Sequence, residues 1–292
     1  MMKLRDWIDI DKLDLYYLSL NPNAIDLLRN NKNYINWSAL SRNINAIDLL
    51  KENLEKINWF HLSANENAIK LLKDNPENIN WDYIGENTNA IELIKDNLHK
   101  INWFQLSANM NVIELLKDNI DKIDWDYLSA NPNAIELLKD NLDKINWFEL
   151  SKNINAIEII KDNPEKIDWY MLSANTNAFK LLRDNLDKIN WYYLSINSNA
   201  IDLLKDNLDK INWSQLSKNI NAIDLLKDNQ EKINWKLLSS NPSIFTFDYN
   251  YMKNSNIDLK EEIIARALHP KRIFRLIEEY GEEYIYDIYF ED

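Results

Sequence analysis

The residues able to do acid–base or metal chemistry are few in kind and repetitive in place. The three histidines are His61, His99 and His269. His61 and His99 sit at different points of the internal repeat described below and share no helical spacing. They therefore make neither a metal-ligand pair nor a base with its orienting partner. His269 directly precedes Pro270, a position that reads as a helix cap. The chain has no cysteine, which excludes disulfides and thiolate metal sites. Gly85 and Gly281 are the only glycines, so no glycine-rich phosphate loop exists. Most of the 47 acidic residues recur at the same positions of nearly every unit, whereas paired catalytic carboxylates need one buried pocket of their own. The stretch D-N-x-D resembles a calcium loop but lacks its glycine and its twelve-residue spacing. Asn36-Trp37-Ser38 and Asn212-Trp213-Ser214 match glycosylation sequons only as by-products of the repeat. The chemistry thus points to a protein that is not an enzyme, with no catalytic, metal or cofactor-binding residues.

The element that repeats is 22 residues long. Trp37, Trp59, Trp81, Trp103, Trp125, Trp147, Trp169, Trp191, Trp213 and Trp235 follow one another at that interval, with Leu15 in the equivalent place of the first unit. Taking Trp as position 1, a unit reads W-x-x-L-S-x-N-x-N-A-I-x-L-L-K-D-N-x-D/E-K-I-N/D. Ten complete units run from Leu15 to Asn234, and an eleventh begins at Trp235 and departs from the pattern after Pro242.

Two asparagines of each unit never vary. Position 7 holds Asn21, Asn43, Asn65, Asn87, Asn109, Asn131, Asn153, Asn175, Asn197, Asn219 and Asn241, and position 17 runs from Asn31 to Asn229. Five of the six prolines directly follow one of them. Asparagine is a strong N-cap and proline suits the first helical position, so each unit reads as two helix starts. Asparagine also tolerates the left-handed conformation that ends helices, so one residue could close one helix and open the next.

The first helix is expected over positions 8–16, where Ala134, Ile135, Leu137 and Leu138 share one arc and Glu136, Lys139 and Asp140 the other. The second is expected from position 18 to position 5 of the next unit. Helices this short need stacking to be stable. The expected fold is all-α: an α-solenoid of ten stacked 22-residue two-helix repeats with terminal caps, forming a rod or superhelix of order 100 Å. The alternative is a leucine-rich-repeat-like α/β solenoid, since that repeat also carries an asparagine ladder and I-N-W alternates like a strand. The domain reading is residues 1–14 as N-terminal cap, 15–242 as solenoid, and 243–292 as a C-terminal helical capping segment with an acidic-aromatic tail. Within the last, Phe245, Phe247, Tyr249 and Tyr251 suggest an extended stretch, and helices are expected over Asp258–Leu268 and Pro270–Tyr280, the second stopped by Gly281.

Units such as LSANPNAIELLKDNLDKINW, together with the closing segment IARALHPKRIFRLIEEYG, resemble a 22-residue Asn/Leu/Trp repeat widespread in proteins of giant DNA viruses. That resemblance covers nearly the whole chain. It implies a viral origin and a place in the host cytoplasm or the virion, and it carries no functional residues over.

The net charge of −13 argues against nucleic acid or an anionic membrane surface as the partner. The N-terminus has no apolar run of the kind a signal peptide needs, and no stretch is apolar enough to span a membrane. The tryptophan column reads as core rather than as a base-stacking platform. Function is expected where the repeat varies. Position 2 accepts both Asp82 and Phe104, which a core position would not. Position 3 carries Tyr17, Ala39, His61, Tyr83, Gln105, Tyr127, Glu149, Met171, Tyr193, Gln215 and Leu237. Of these, Tyr17, His61, Tyr83, Gln105, Tyr127, Glu149, Met171, Tyr193 and Gln215 are the candidate partner-binding residues, because tyrosine-rich surfaces of mixed polarity suit protein recognition. The expected function is a non-enzymatic scaffold for protein–protein interaction. The alternatives are a structural component of the virion or its assembly site, and nucleic-acid binding through the lysine columns.

Overall fold

A computed structural model describes residues 2–255, 264, 267–282 and 284–285. The chain is an all-α repeat solenoid, and its only strands among the described residues are Met2–Leu4 and Phe245–Phe247, which pair. The extended Ile-Asn step before each tryptophan joins no sheet, so the leucine-rich-like alternative falls.

The unit from Trp125 to Asn146 shows how the sequence builds each repeat. Asp124 is extended and accepts a hydrogen bond from Tyr127 N–H at 3.1 Å, capping a helix over Trp125–Ala130. Asn131 ends that helix, and its Oδ1 accepts from Asn133 N–H at 3.0 Å to open the next turn. A second helix covers Ile135–Lys139. Asn141 closes it, donating Nδ2–H back to Leu137 O at 2.9 Å. A 3-10 turn over Leu142–Lys144 and an extended pair then lead to Trp147.

Two expectations are corrected here. Asparagine at position 17 does not start a helix: its side chain caps nothing ahead of it and bonds instead to the carbonyl four residues back, at 2.8–3.0 Å in every unit from Asn31 to Asn229. The Trp helix is started by the Asn or Asp of position 22, so the expected single helix from position 18 onward is a 3-10 turn, an extended pair and then a helix. Nor is any asparagine left-handed, since no residue other than glycine has positive φ among the described residues. Back-bonding meets the need for a carbonyl partner that a left-handed residue would otherwise serve.

The core is formed by position 4, position 10 and position 14, as in Leu128, Ala134 and Leu138, all fully buried. Two polar residues lie among them. Serine at position 5 donates Oγ–H to the carbonyl of position 1 and accepts from the N–H of position 22, as Ser129 does with Trp125 O at 2.7 Å and Asn146 N at 3.0 Å. Asparagine at position 7 donates both amide hydrogens to the preceding unit, to the carbonyls of its positions 5 and 7. For Asn131 these are Ser107 O at 3.1 Å and Asn109 O at 3.0 Å. With its Oδ1 also engaged, the buried amide makes three of its four possible hydrogen bonds inside the protein.

The tryptophans are half-buried rather than enclosed. Each of seven, from Trp81 to Trp213, carries the position-20 lysine of its own unit over its ring, at 4.5–4.8 Å from the centroid. The ring's inner edge fills the core, and the ammonium with its aliphatic stem covers the outer face.

The ladder does not stop at the first unit. Asn21 donates to Ser239 O at 3.0 Å and Asn241 O at 2.9 Å, in the geometry every other unit uses toward its predecessor. The eleventh unit is itself assembled from both ends of the chain. Asp9-Ile10-Asp11-Lys12-Leu13-Asp14 occupies its positions 17–22: Lys12 lies over Trp235 at 4.9 Å, and Asp14 N–H donates to Ser239 Oγ at 2.8 Å. Trp7 meets Trp235 edge-on at 6.4 Å, and Arg5 N–H donates to Ile244 O at 2.9 Å. The compact body Leu4–Thr246 is therefore a closed ring of eleven units, not the open rod or superhelix expected. Sharing a full circle among eleven units turns each by about 33° relative to the last. Residues 5–14 are not a cap over an exposed end; they complete a repeat.

Met1–Lys3 and Phe247–Asp292 form a second compact unit. In it the expected extended run ends at Phe247, and a helix follows over Tyr249–Ser255. A helix covers Pro270–Tyr280, with His269 Nδ1 accepting from Lys271 N–H at 3.2 Å and Gly281 ending it at φ 93°. The expected helix at Asp258–Leu268 and the tail beyond Ile285 lie largely outside the described residues.

Three outcomes follow for stability. Asn131→Ala removes three hydrogen bonds, two of them buried, and should cost about 3 kcal/mol in urea unfolding, well beyond the ~1 kcal/mol of a surface cap; a loss no larger than a surface cap's would contradict the ladder. Gly85 stands where other units have serine, leaving Asn102 N–H without that partner, and a Cβ there would lie 3.1 Å from Leu106 N. Gly85→Ser should raise stability by about 1 kcal/mol by restoring the bond, and a lower melting temperature would show that this wall cannot yield. Removing residues 1–14 leaves the eleventh unit half-built, so the chain should show a larger radius in small-angle scattering. An unchanged radius would mean the ring does not depend on that seam.

Candidate interaction surface

On the Trp helix, positions 1, 4 and 5 turn toward the core, which leaves positions 2, 3 and 6 on the opposite arc. Neighbouring Trp helices pack closely from Leu15 to Leu40 and from Trp103 to Leu194, most of all from Trp125 to Ala174, and no two neighbouring Ile helices pack as closely. In a closed ring the elements that crowd are those at the smaller radius. The Trp helices therefore form the inner wall, and positions 2, 3 and 6 face the opening. An ion pair agrees with this: Arg42 reaches Glu86 at 3.3 Å, two units away, as side chains on a concave wall converge.

Position 2 is the exposed column. Tyr16, Phe60, Phe104, Phe148, Tyr170 and Tyr192 are 40–61% exposed. Position 3, where the candidates were placed, sits deeper. Tyr17, His61, Tyr83, Gln105, Glu149, Met171, Tyr193 and Gln215 are half-buried, Ala39 is buried, and Tyr127 alone reaches 36% exposure. The two columns interlock. Position 2 of one unit touches position 3 of the next: Phe60 lies 3.9 Å from Tyr83 between centroids, Phe104 lies 3.9 Å from Tyr127, and Gln215 Nε2 donates to Tyr192 Oη at 2.6 Å. The same step crosses the seam, where Lys236 lies over Tyr17 at 5.6 Å. The structure thus brings the nine candidates into one continuous band, but as its supporting layer.

The band is electrically balanced. Its acids are Asp82, Glu86, Asp126 and Glu149, and its bases Arg42, Lys152, Lys218 and Lys236, while the whole chain carries −13. Glu149 pairs with Lys152 on the same helix. Burial and, second, the charge of Arg42 hold the His61 imidazole below its usual range, so it adds no charge at neutral pH. Alanines at position 6 leave room, and a cavity of about 430 Å³ opens among Ala108, Asp126, Tyr127, Ala130, Asn146, Glu149 and Lys152. Its size falls within the range of small-ligand pockets. Among the described residues no group of three His, Asp or Glu side chains could hold a metal ion, and no helix is long and apolar enough to cross a membrane.

The convex side is different. Four of the Ile helices pair charges along their own length, as Lys117 does with Glu114 at 2.8 Å and Lys139 with Glu136 at 3.0 Å. Such exposed pairs contribute little.

Two elements escaped the sequence reading. Asparagine at position 9, constant from Asn23 to Asn221, forms a second ladder, each Nδ2 donating to the position-8 carbonyl of the preceding unit at 2.8–3.1 Å. Its constancy was visible in the repeat. The match of Asp9–Asp14 to positions 17–22 was visible too, and it is the signal of ring closure. The chain matches no protein-family model, no curated protein and no solved structure.

Proposed function

We propose that the protein is a non-enzymatic ring scaffold that holds a protein partner against its inner wall. The observation that carries this reading is the composition of that wall. Ten of its side chains are tyrosine or phenylalanine, its formal charges cancel, and the excess of acid lies elsewhere on the chain. Aromatic side chains contribute large contact area at low entropic cost, and they dominate protein interfaces. A polyanion would need a basic wall, so the same balance weighs against nucleic acid. Eleven helices packed about 9 Å apart put their axes on a circle about 30 Å across, a scale that suits a helical segment rather than a small metabolite. The repeat's resemblance to those of giant DNA viruses supports action in an infected cell, in its cytoplasm or on its particle.

The test is affinity capture from infected-cell lysate with the wild type and with Phe104→Asp plus Phe148→Asp. Position 2 already holds Asp82 and Asp126, so these changes preserve the fold. Recovery of partner proteins should drop at least about tenfold, equivalent to ~1.4 kcal/mol. Equal recovery would remove the inner wall as the binding surface.

A further inference from the structure

A second surface stands apart from the inner wall. The turn that joins each Trp helix to its Ile helix places positions 8 and 9 side by side around one edge of the ring, stitched by the second asparagine ladder. Position 9 is asparagine in ten units and Ser243 in the eleventh. Position 8 is Pro22, Ile44, Glu66, Thr88, Met110, Pro132, Ile154, Thr176, Ser198, Ile220 and Pro242. Glu66 is thus the single charge among 22 residues of a chain that is 28% charged. Met110, Ile44, Ile154 and Ile220 are 39–50% exposed there, spaced around the circle rather than gathered on one side.

Solvation does not require apolar residues at a turn, and the other exposed turn of the repeat is dense with charge at positions 16, 19 and 20. A circular edge with the single acid Glu66, and with Arg5 bonded to the Ser243 carbonyl, is a surface on which two copies of a −13 protein can meet with few like charges opposed inside a screening length of about 10 Å. Its symmetry fits the same partner: a closed circle of equivalent contacts is matched by a second identical circle, joined by a two-fold axis. If each unit presents roughly 100 Å² of turn surface, two rings bury on the order of 2,000 Å² in total, within the range of stable interfaces.

We infer that the protein forms a face-to-face dimer of rings through the position-8 and position-9 turns. This does not depend on the inner wall binding a partner. Sedimentation equilibrium across a dilution series tests it. The wild type should sediment at twice the 34.8 kDa chain mass and dissociate on dilution. Ile154→Glu with Ile220→Glu should sediment as a single chain at the same concentrations; Glu66 shows that position 8 accepts glutamate in a folded unit. Glu66→Ile should shift dissociation to lower concentration. A wild type that stays a single chain throughout would overturn the inference, as would a dimer that the double glutamate variant leaves intact. The inner-wall variants Phe104→Asp and Phe148→Asp should leave the mass unchanged, which keeps this result separate from the partner-capture experiment.

Discussion

One buried side-chain amide governs this structure. Asparagine at position 7 ends the Trp helix, turns the chain with its oxygen, and holds the preceding unit with both amide hydrogens, at 2.7–3.1 Å around the whole ring. It is at most 2% exposed in every unit. A polar group so buried is costly unless it is satisfied, and full satisfaction makes it directional. Aliphatic side chains could stack at many angles. Two amide hydrogens aimed at two fixed carbonyls admit only one. Among the described residues no buried side-chain nitrogen or oxygen lacks a partner, so the ladder fixes the geometry of stacking without leaving an unmet group behind.

A fixed step repeated without insertion must lead somewhere definite. Here eleven steps return the chain to its start, and the ladder closes on itself between Asn21 and Asn241. The closure is made as every other junction is made, by hydrogen bonds and packing, with the N-terminal residues supplying the missing part of the last unit. A solenoid normally needs polar caps over its two exposed end faces. Closure removes both end faces, and only the seam at Trp7 and Trp235 differs in its residues from the rest.

Closure also sorts the surface. The convex side is built of charged helices, four of which pair a lysine with an acid along their own length. The concave side gathers aromatic side chains whose charges cancel. The turn edge carries almost no charge at all. Three surfaces of distinct character therefore arise from one repeat, because position within the unit decides which surface a residue joins. Variation at position 2 changes the inner wall while the core beneath it, Leu128 and its equivalents, stays constant.

By itself the sequence determined the unit: its length, its helical character, the asparagine at position 7, the amphipathic Ile helix and the variable columns. These are local matters, set by periodicity and by capping chemistry within a few residues. His269 and Gly281 were legible as the ends of a helix for the same reason. What the tertiary structure decided was everything that depends on contact between units. The position-17 asparagine looked like its position-7 counterpart, yet it bonds backward, since the residue that caps the Trp helix is the one at position 22. The tryptophans looked like core and are half-covered by lysines. Positions 2 and 3 both looked exposed, but position 2 of the preceding unit lies over position 3. The N-terminal segment looked like a cap and instead completes the eleventh repeat. Each of these turns on the angle between successive units, which is fixed by amide hydrogen bonds reaching 22 and 24 residues back along the chain, a distance at which no local pattern speaks.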